Sequence, residues 1–183
     1  VLACNSTAYS EDTSVQNTIK NRSAWTTVDQ SGNSLHPYEL VNLHKAHSFK
    51  DSNNQYLTGE GETIYIVDDK INKDNASFNN KTFTEIDVTS PSNNTYDHGT
   101  HVASIAAGDI NGTTHGVAPD ADIVFSSFSS GSGSNWAGDL DNARTNHSPI
   151  AANNSWGWSD GWNGSNYTSA VTVTEVETAA TNN

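Results

Sequence analysis

Two side chains in this sequence stand where acid–base chemistry is feasible. Asp68 closes the apolar run Thr63-Ile64-Tyr65-Ile66-Val67. A carboxylate at the end of a buried strand can accept a hydrogen bond from an imidazole and hold it in the tautomer that works as a base. On position alone it could equally be a solvated strand-end aspartate. His98 lies in Asp97-His98-Gly99-Thr100-His101-Val102-Ala103, at the start of a small-residue helix able to pack closely on a sheet. Imidazole titrates near neutrality, so it can take a proton from a hydroxyl and return it to a leaving amine. Asp69, beside Asp68, is an alternative carboxylate partner. His98 and His101, three residues apart, share a helix face and would also suit a metal, but neither has beside it the Glu of helical zinc proteases.

These groups need a scaffold that brings them together. Thr63 to Val67 is a continuous β-branched and aromatic run, the pattern of a strand covered on both faces. Pro37 followed by Tyr38, Leu40, Val41, Leu43 and Ala46 has near-helical spacing and predicts a short amphipathic helix. Further strands are expected at Thr84 to Val88, Ala121 to Phe128 and Ile150 to Asn154. Helices are expected at His101 to Ala107, Trp136 to Arg144 and Ser169 to Ala180. Strands alternating with helices imply a parallel sheet with helices on its faces. Residues 1–35, rich in Ser, Thr, Asn and Asp, read as a flexible tether, linker or propeptide remnant.

Composition narrows the classes of function. A hydrophobic content of 33% over 183 residues allows a globular core. The net charge of -13 repels nucleic acid and anionic membranes, leaving no nucleic-acid partner in the expectation. No run approaches the ~18 apolar residues of a membrane span. The lone cysteine, Cys4, excludes an intramolecular disulfide. Its setting, Val1-Leu2-Ala3-Cys4, resembles the end of a bacterial lipoprotein signal, which would make Cys4 a lipid anchor; a buried or free thiol is the plainer reading. The acidity and the Asn/Ser content suit an extracellular, cell-surface or periplasmic place, and the resemblance at Cys4 suits a bacterial origin.

Five blocks occur in order: Thr58-Gly59-Glu60-Gly61, the strand ending in Asp68, His98-Gly99-Thr100-His101-Val102-Ala103, His115-Gly116-Val117-Ala118-Pro119 and Asn153-Asn154-Ser155-Trp156-Gly157. Together they resemble the signature blocks of the subtilisin-like serine proteases, the subtilases. The resemblance implies a three-layer α/β sandwich, a parallel sheet with helices on both faces, with residues 36–183 forming the N-terminal part of the peptidase domain. Asp68 would orient His98, and His98 would serve as general base and then general acid. Gly131, Ser132 and Gly133 would pair with the backbone of a polypeptide substrate. Ser155, Trp156 and Gly157 would form one wall of the first specificity pocket.

The chain also departs from that pattern. Subtilases usually continue from the catalytic Asp with a small residue and Gly, whereas here Asp69-Lys70 follows, and Lys70 would be strained if that position needs positive φ. Asp69 in second place resembles the kexin-like branch. The stretch from Gly108 to His115 stands where many relatives carry a calcium loop, making Asp109, Asn111 and Asp120 candidate ligands for a structural calcium; the chemistry itself needs no cofactor. No Gly-Thr-Ser block occurs, and neither the nucleophilic Ser nor the oxyanion Asn is recognisable. The expectation is therefore a fold incomplete at the C-terminus, inactive alone, with the remainder of the peptidase domain as its partner. The alternative is a non-catalytic peptide-binding or adhesion module on the same fold. Gly131-Ser132-Gly133 lacks the Lys-Ser or Lys-Thr of a phosphate loop, and Trp158, Trp162 and Tyr167 suit a cleft wall or surface loop better than a sugar platform.

Overall fold

Four short strands lie parallel in one sheet, and the apolar alternation along them decides what covers each face. The computed structural model describes residues 12–21, 37–86, 98–110, 114–127 and 136–155. Strand β1 is Thr63–Asp68, β2 is Phe83–Glu85, β5 is Asp122–Ser127 and β6 is Ala151–Asn154, in the order β2-β5-β1-β6. β1 is flanked on both sides, Asp68 pairing with Ser127 of β5 and Val67 with Asn154 of β6.

On one face Ile66, Ile123 and Phe125 pack with Ala103 and Ala107 of helix α4, His98–Ala107. On the other, Tyr65, Val67 and Val124 pack with Ala143 of helix α5, Trp136–His147. Successive side chains of a strand point to opposite faces, so the unbroken apolar run needs a cover on each side. The structure supplies both, and the expected three-layer α/β arrangement is present. Residues 99, 103 and 107 of α4 are all buried and at most alanine-sized, a stripe four residues apart that lets this helix lie close to the sheet.

The sequence-predicted elements recur with shifted ends. The helix expected from Pro37 is two, α2 at Pro37–Leu40 and α3 at Leu43–Ala46, parted by Asn42 in the left-handed region at φ 56°. Asn tolerates that conformation because its short polar side chain can bond locally. The strand expected at Thr84 to Val88 is β2, with Val88 outside the described residues, as is the whole helix expected at Ser169 to Ala180. The pairing of β3, Asp109–Ile110, with β4, Thr114–His115, is antiparallel and was not legible beforehand.

Within the stretch read as a tether, Thr13–Lys20 is a helix, α1. The Asp12 carboxylate accepts from the backbone N–H groups of Ser14 (3.1 Å) and Val15 (3.2 Å), which caps it. Ile19 packs on Leu43, and Gln16 Nε2 donates to Ser48 Oγ at 3.1 Å. Polar composition hid this helix because only a narrow stripe of it meets the rest. Behind α3, His47 Nε2 donates to the carbonyl of Val117 (2.7 Å), leaving Nδ1 to accept from His115 Nε2 (3.4 Å).

Candidate active site

Asp68 ends β1; from there the chain runs to β2 at one edge of the sheet, returns through α4 to β5 on one side of β1, and crosses through α5 to β6 on the other. Such a switch point opens a crevice at the carboxyl ends of the strands. Register puts Ser127 beside Asp68 on one side and Ser155, just past Asn154, at the same level on the other.

Asp68 is fully buried, and its Oδ1 accepts from His98 Nδ1 at 2.8 Å and from the Asp69 N–H at 2.8 Å. The His98 side chain is 50% exposed, so its other nitrogen, Nε2, faces outward with no hydrogen-bond partner among the described residues. The bond from His98 Nδ1–H to a carboxylate fixes the Nδ1–H tautomer and leaves Nε2 free as a base. That hydrogen bond, with the charge of Asp68, raises the pKa of His98 above the usual imidazole value. Burial raises the pKa of Asp68, against the opposing hydrogen bonds from His98 and Asp69 N–H. Its second oxygen, Oδ2, is buried with no hydrogen-bond partner among the described residues.

Asp69 is not the partner of the histidine. Its Oδ1 accepts the backbone N–H of Lys70 (2.6 Å) and that of Gly99 (3.2 Å), at the start of α4. Burial pushes its pKa up, but these bonds outweigh it and the net direction is down. Lys70 carries no strain: the non-glycine residues at positive φ among those described are Asn42, Asn54 and Ser148. What the site does demand is Gly99, where a Cβ would stand 2.3 Å from the carbonyl oxygen of Lys70 and 3.0 Å from the Cβ of Asp68. Asn72 N–H donates to Thr100 Oγ1 at 2.7 Å, a second tie between the loop after β1 and α4.

Donor atoms of Asp68, Asp69 and His98 lie within 4.8 Å of one another, the one such grouping among the described residues. The shared Nδ1–H···Oδ1 bond and the backbone donors on Asp69 account for that closeness without a metal. His101 is an exposed residue of α4 outside the grouping. Of the candidate calcium ligands, Asp109 lies in β3, Asp120 is exposed in the turn before β5, and Asn111 lies outside the described residues. A signal absent from sequence reasoning is Lys81, whose ammonium donates to the carbonyls of Pro119 and Ala121 and feels the charges of Asp109, Asp120 and Asp122.

Of the expected substrate-binding residues, Ser155 is described and exposed, with Asn153 Nδ2 donating to its Oγ at 2.9 Å. Gly131, Ser132, Gly133, Trp156 and Gly157 lie outside the described residues, as does Cys4. No helix among the described residues is long and apolar enough to cross a membrane.

Among solved structures the chain is similar to that of the prenylagaramide maturation protease PagA, at 20% sequence identity and a TM-score of 0.48. The similarity covers 66% of this chain and 41% of that one. No curated protein matches it. The family comparison reaches further, because the peptidase S8 model, described as the subtilase family, matches residues 11–183 and so includes α1 as well as the Asp68–His98 pair. This chain belongs to the subtilase family of serine peptidases.

Proposed function

We propose that this chain contributes the acid–base half of a serine endopeptidase site. The observation that carries the reading is the 2.8 Å bond from His98 Nδ1 to a fully buried Asp68, with the rest of the imidazole exposed. In this mechanism a serine hydroxyl gives its proton to His98 Nε2 as its oxygen attacks the peptide carbonyl. His98 then delivers that proton to the leaving amine, while Asp68 stabilises the imidazolium between the two steps. Water repeats the cycle on the acyl-enzyme and releases the serine.

No Gly-Thr-Ser block occurs in the sequence, so the nucleophile and the oxyanion Asn are assigned to a partner segment, and the 183 residues alone are read as inactive. By the family resemblance, the polypeptide substrate would pair its backbone with Gly131, Ser132 and Gly133 and lodge a side chain against Ser155, Trp156 and Gly157. The acidic surface and the setting of Cys4 support a place outside the cell or at its surface. A structural calcium at Asp109 and Asp120 competes with Lys81, which already brings positive charge to that corner.

A fluorophosphonate probe and a fluorogenic peptide test the reading. The 183-residue chain is expected to stay unlabelled and to cleave nothing. A protein joining it to a Gly-Thr-Ser segment is expected to be labelled and active, with both properties lost in His98→Ala. An intact protein of that kind that neither labels nor cleaves would instead be a peptide-binding module.

A further inference from the structure

We propose that Asp69 is a positioning residue for the general base, its carboxylate capping the first turn of α4 from outside the helix and so holding the His98 ring against Asp68. The first N–H groups of a helix have no partner within it, and a carboxylate placed there satisfies a donor and complements the helix dipole. A capping residue normally precedes its own helix in sequence. Here the acceptor comes from the residue just past the end of β1, thirty positions upstream. One oxygen, Oδ1 of Asp69, receives both Lys70 N–H and Gly99 N–H, and thereby ties the strand that carries Asp68 to the residue next to His98.

Three further observations make this tie directional. Gly99 touches the Lys70 carbonyl so closely that a methyl group would not fit, so α4 has no slack toward the loop. The bond from Asn72 N–H to Thr100 Oγ1 fixes the next residue of the helix to the same loop. The charged groups acting on His98 among the described residues are Asp68, through its bond, and Asp69, through space. Asp69 therefore helps to set where the imidazole sits, and its charge adds the smaller part of a field that Asp68 dominates.

The inference rests on the reading of His98 as a base, and its test separates the two. The first readout is the NMR titration of the His98 ring in this chain, which needs no turnover. Asp69→Ala is expected to lower the His98 midpoint and to broaden or shift its Nδ1–H resonance, as both cap and charge are lost. Asp69→Asn keeps a carbonyl oxygen for Gly99 N–H but removes the charge, so it is expected to lower the midpoint while preserving the Nδ1–H resonance. The second readout is kcat/KM in a protein that also carries the nucleophile. Loss through Asp69→Ala is expected to be roughly 10- to 100-fold, mostly in kcat, with Asn restoring part of it. An unchanged His98 titration in both variants would overturn the proposal whatever the activity. A fall in melting temperature alone, with both resonance and pH profile unmoved, would assign Asp69 a merely structural part. Should Asp69→Ala not fold, the Asn variant still decides the field component through its titration.

Discussion

At the residue scale the central fact is an imidazole that shares one nitrogen with a buried carboxylate and offers the other to solvent. A base must be neutral to accept a proton, so under the proposed role of His98 kcat/KM is expected to fall as pH drops through its midpoint. The bond to Asp68 lifts that midpoint above 6.5. The acid limb of the pH–rate profile, measured in a protein that carries the nucleophile, is thus expected to be centred above 6.5. Asp68→Asn removes the charge, shifts that limb to lower pH, and is expected to cut kcat/KM by about 10,000-fold through loss of the working tautomer. Stability should respond differently. Asp68 has its folded pKa raised by burial, so above that value its ionised form costs stability, and Asp68→Asn should not lower the melting temperature at pH 7. A marked drop would show that the pair is held for folding as much as for chemistry. Asp68 and His98 were expected together because the blocks around them resemble those of the subtilases; the strand end alone left Asp68 open to a plainer reading. The division of labour between Asp68 and Asp69 was not, since adjacent carboxylates look alike until the backbone shows which one faces the ring and which one the helix terminus.

At the element scale the site depends on how closely α4 approaches β1. Gly99→Ala places a methyl 2.3 Å from the Lys70 carbonyl oxygen, too close for any rotamer change to relieve. Overpacking of this kind costs about 1–3 kcal/mol. The expected result is a lower melting temperature together with a displaced His98, seen as a weakened Nδ1–H resonance. A variant with native stability and an unshifted ring would contradict this account. Helix α1 makes a separate case, because it meets the remainder mainly through Ile19, which is 3% exposed against Leu43. Ile19→Ala should release α1 by local opening, raising amide exchange in residues 12–21 while β1 and β5 stay protected. β1 and β5 were legible because both faces of a central strand must be apolar, whereas the short β3–β4 pairing was not. α1 and the break at Asn42 were not. A helix that buries only a few side chains leaves a weak pattern, and a single left-handed residue leaves none.

At the scale of the whole molecule, charge sets the terms. Twenty-one acidic against eight basic residues leave -13, so the folded chain carries a self-repulsion that added salt screens. Individual carboxylates pull the other way. Asp51 and Asp69 have pKa values below 3.8 in the fold, set against burial by the N–H groups they accept. Each contributes stability above the unfolded value that is lost as pH falls through the lowered folded one, so their share of the stability is expected to disappear only in strong acid, in a titration that follows melting temperature against pH. Lys81 is where repulsion and compensation meet. Its ammonium binds the carbonyls of Pro119 and Ala121 amid Asp109, Asp120 and Asp122, a cluster whose repulsion it offsets just where the chain enters β5. Lys81→Met keeps most of the stem and removes the charge. Its melting temperature is expected to fall most at low ionic strength and to recover in part with sodium chloride. Calcium chloride at equal ionic strength should restore more, because a divalent ion suits carbonyl and carboxylate oxygens left facing one another. The native chain, with the ammonium in place, should show a smaller calcium response. Equal responses in the two proteins would mean that calcium acts elsewhere and that Lys81 does not hold the place of a cation.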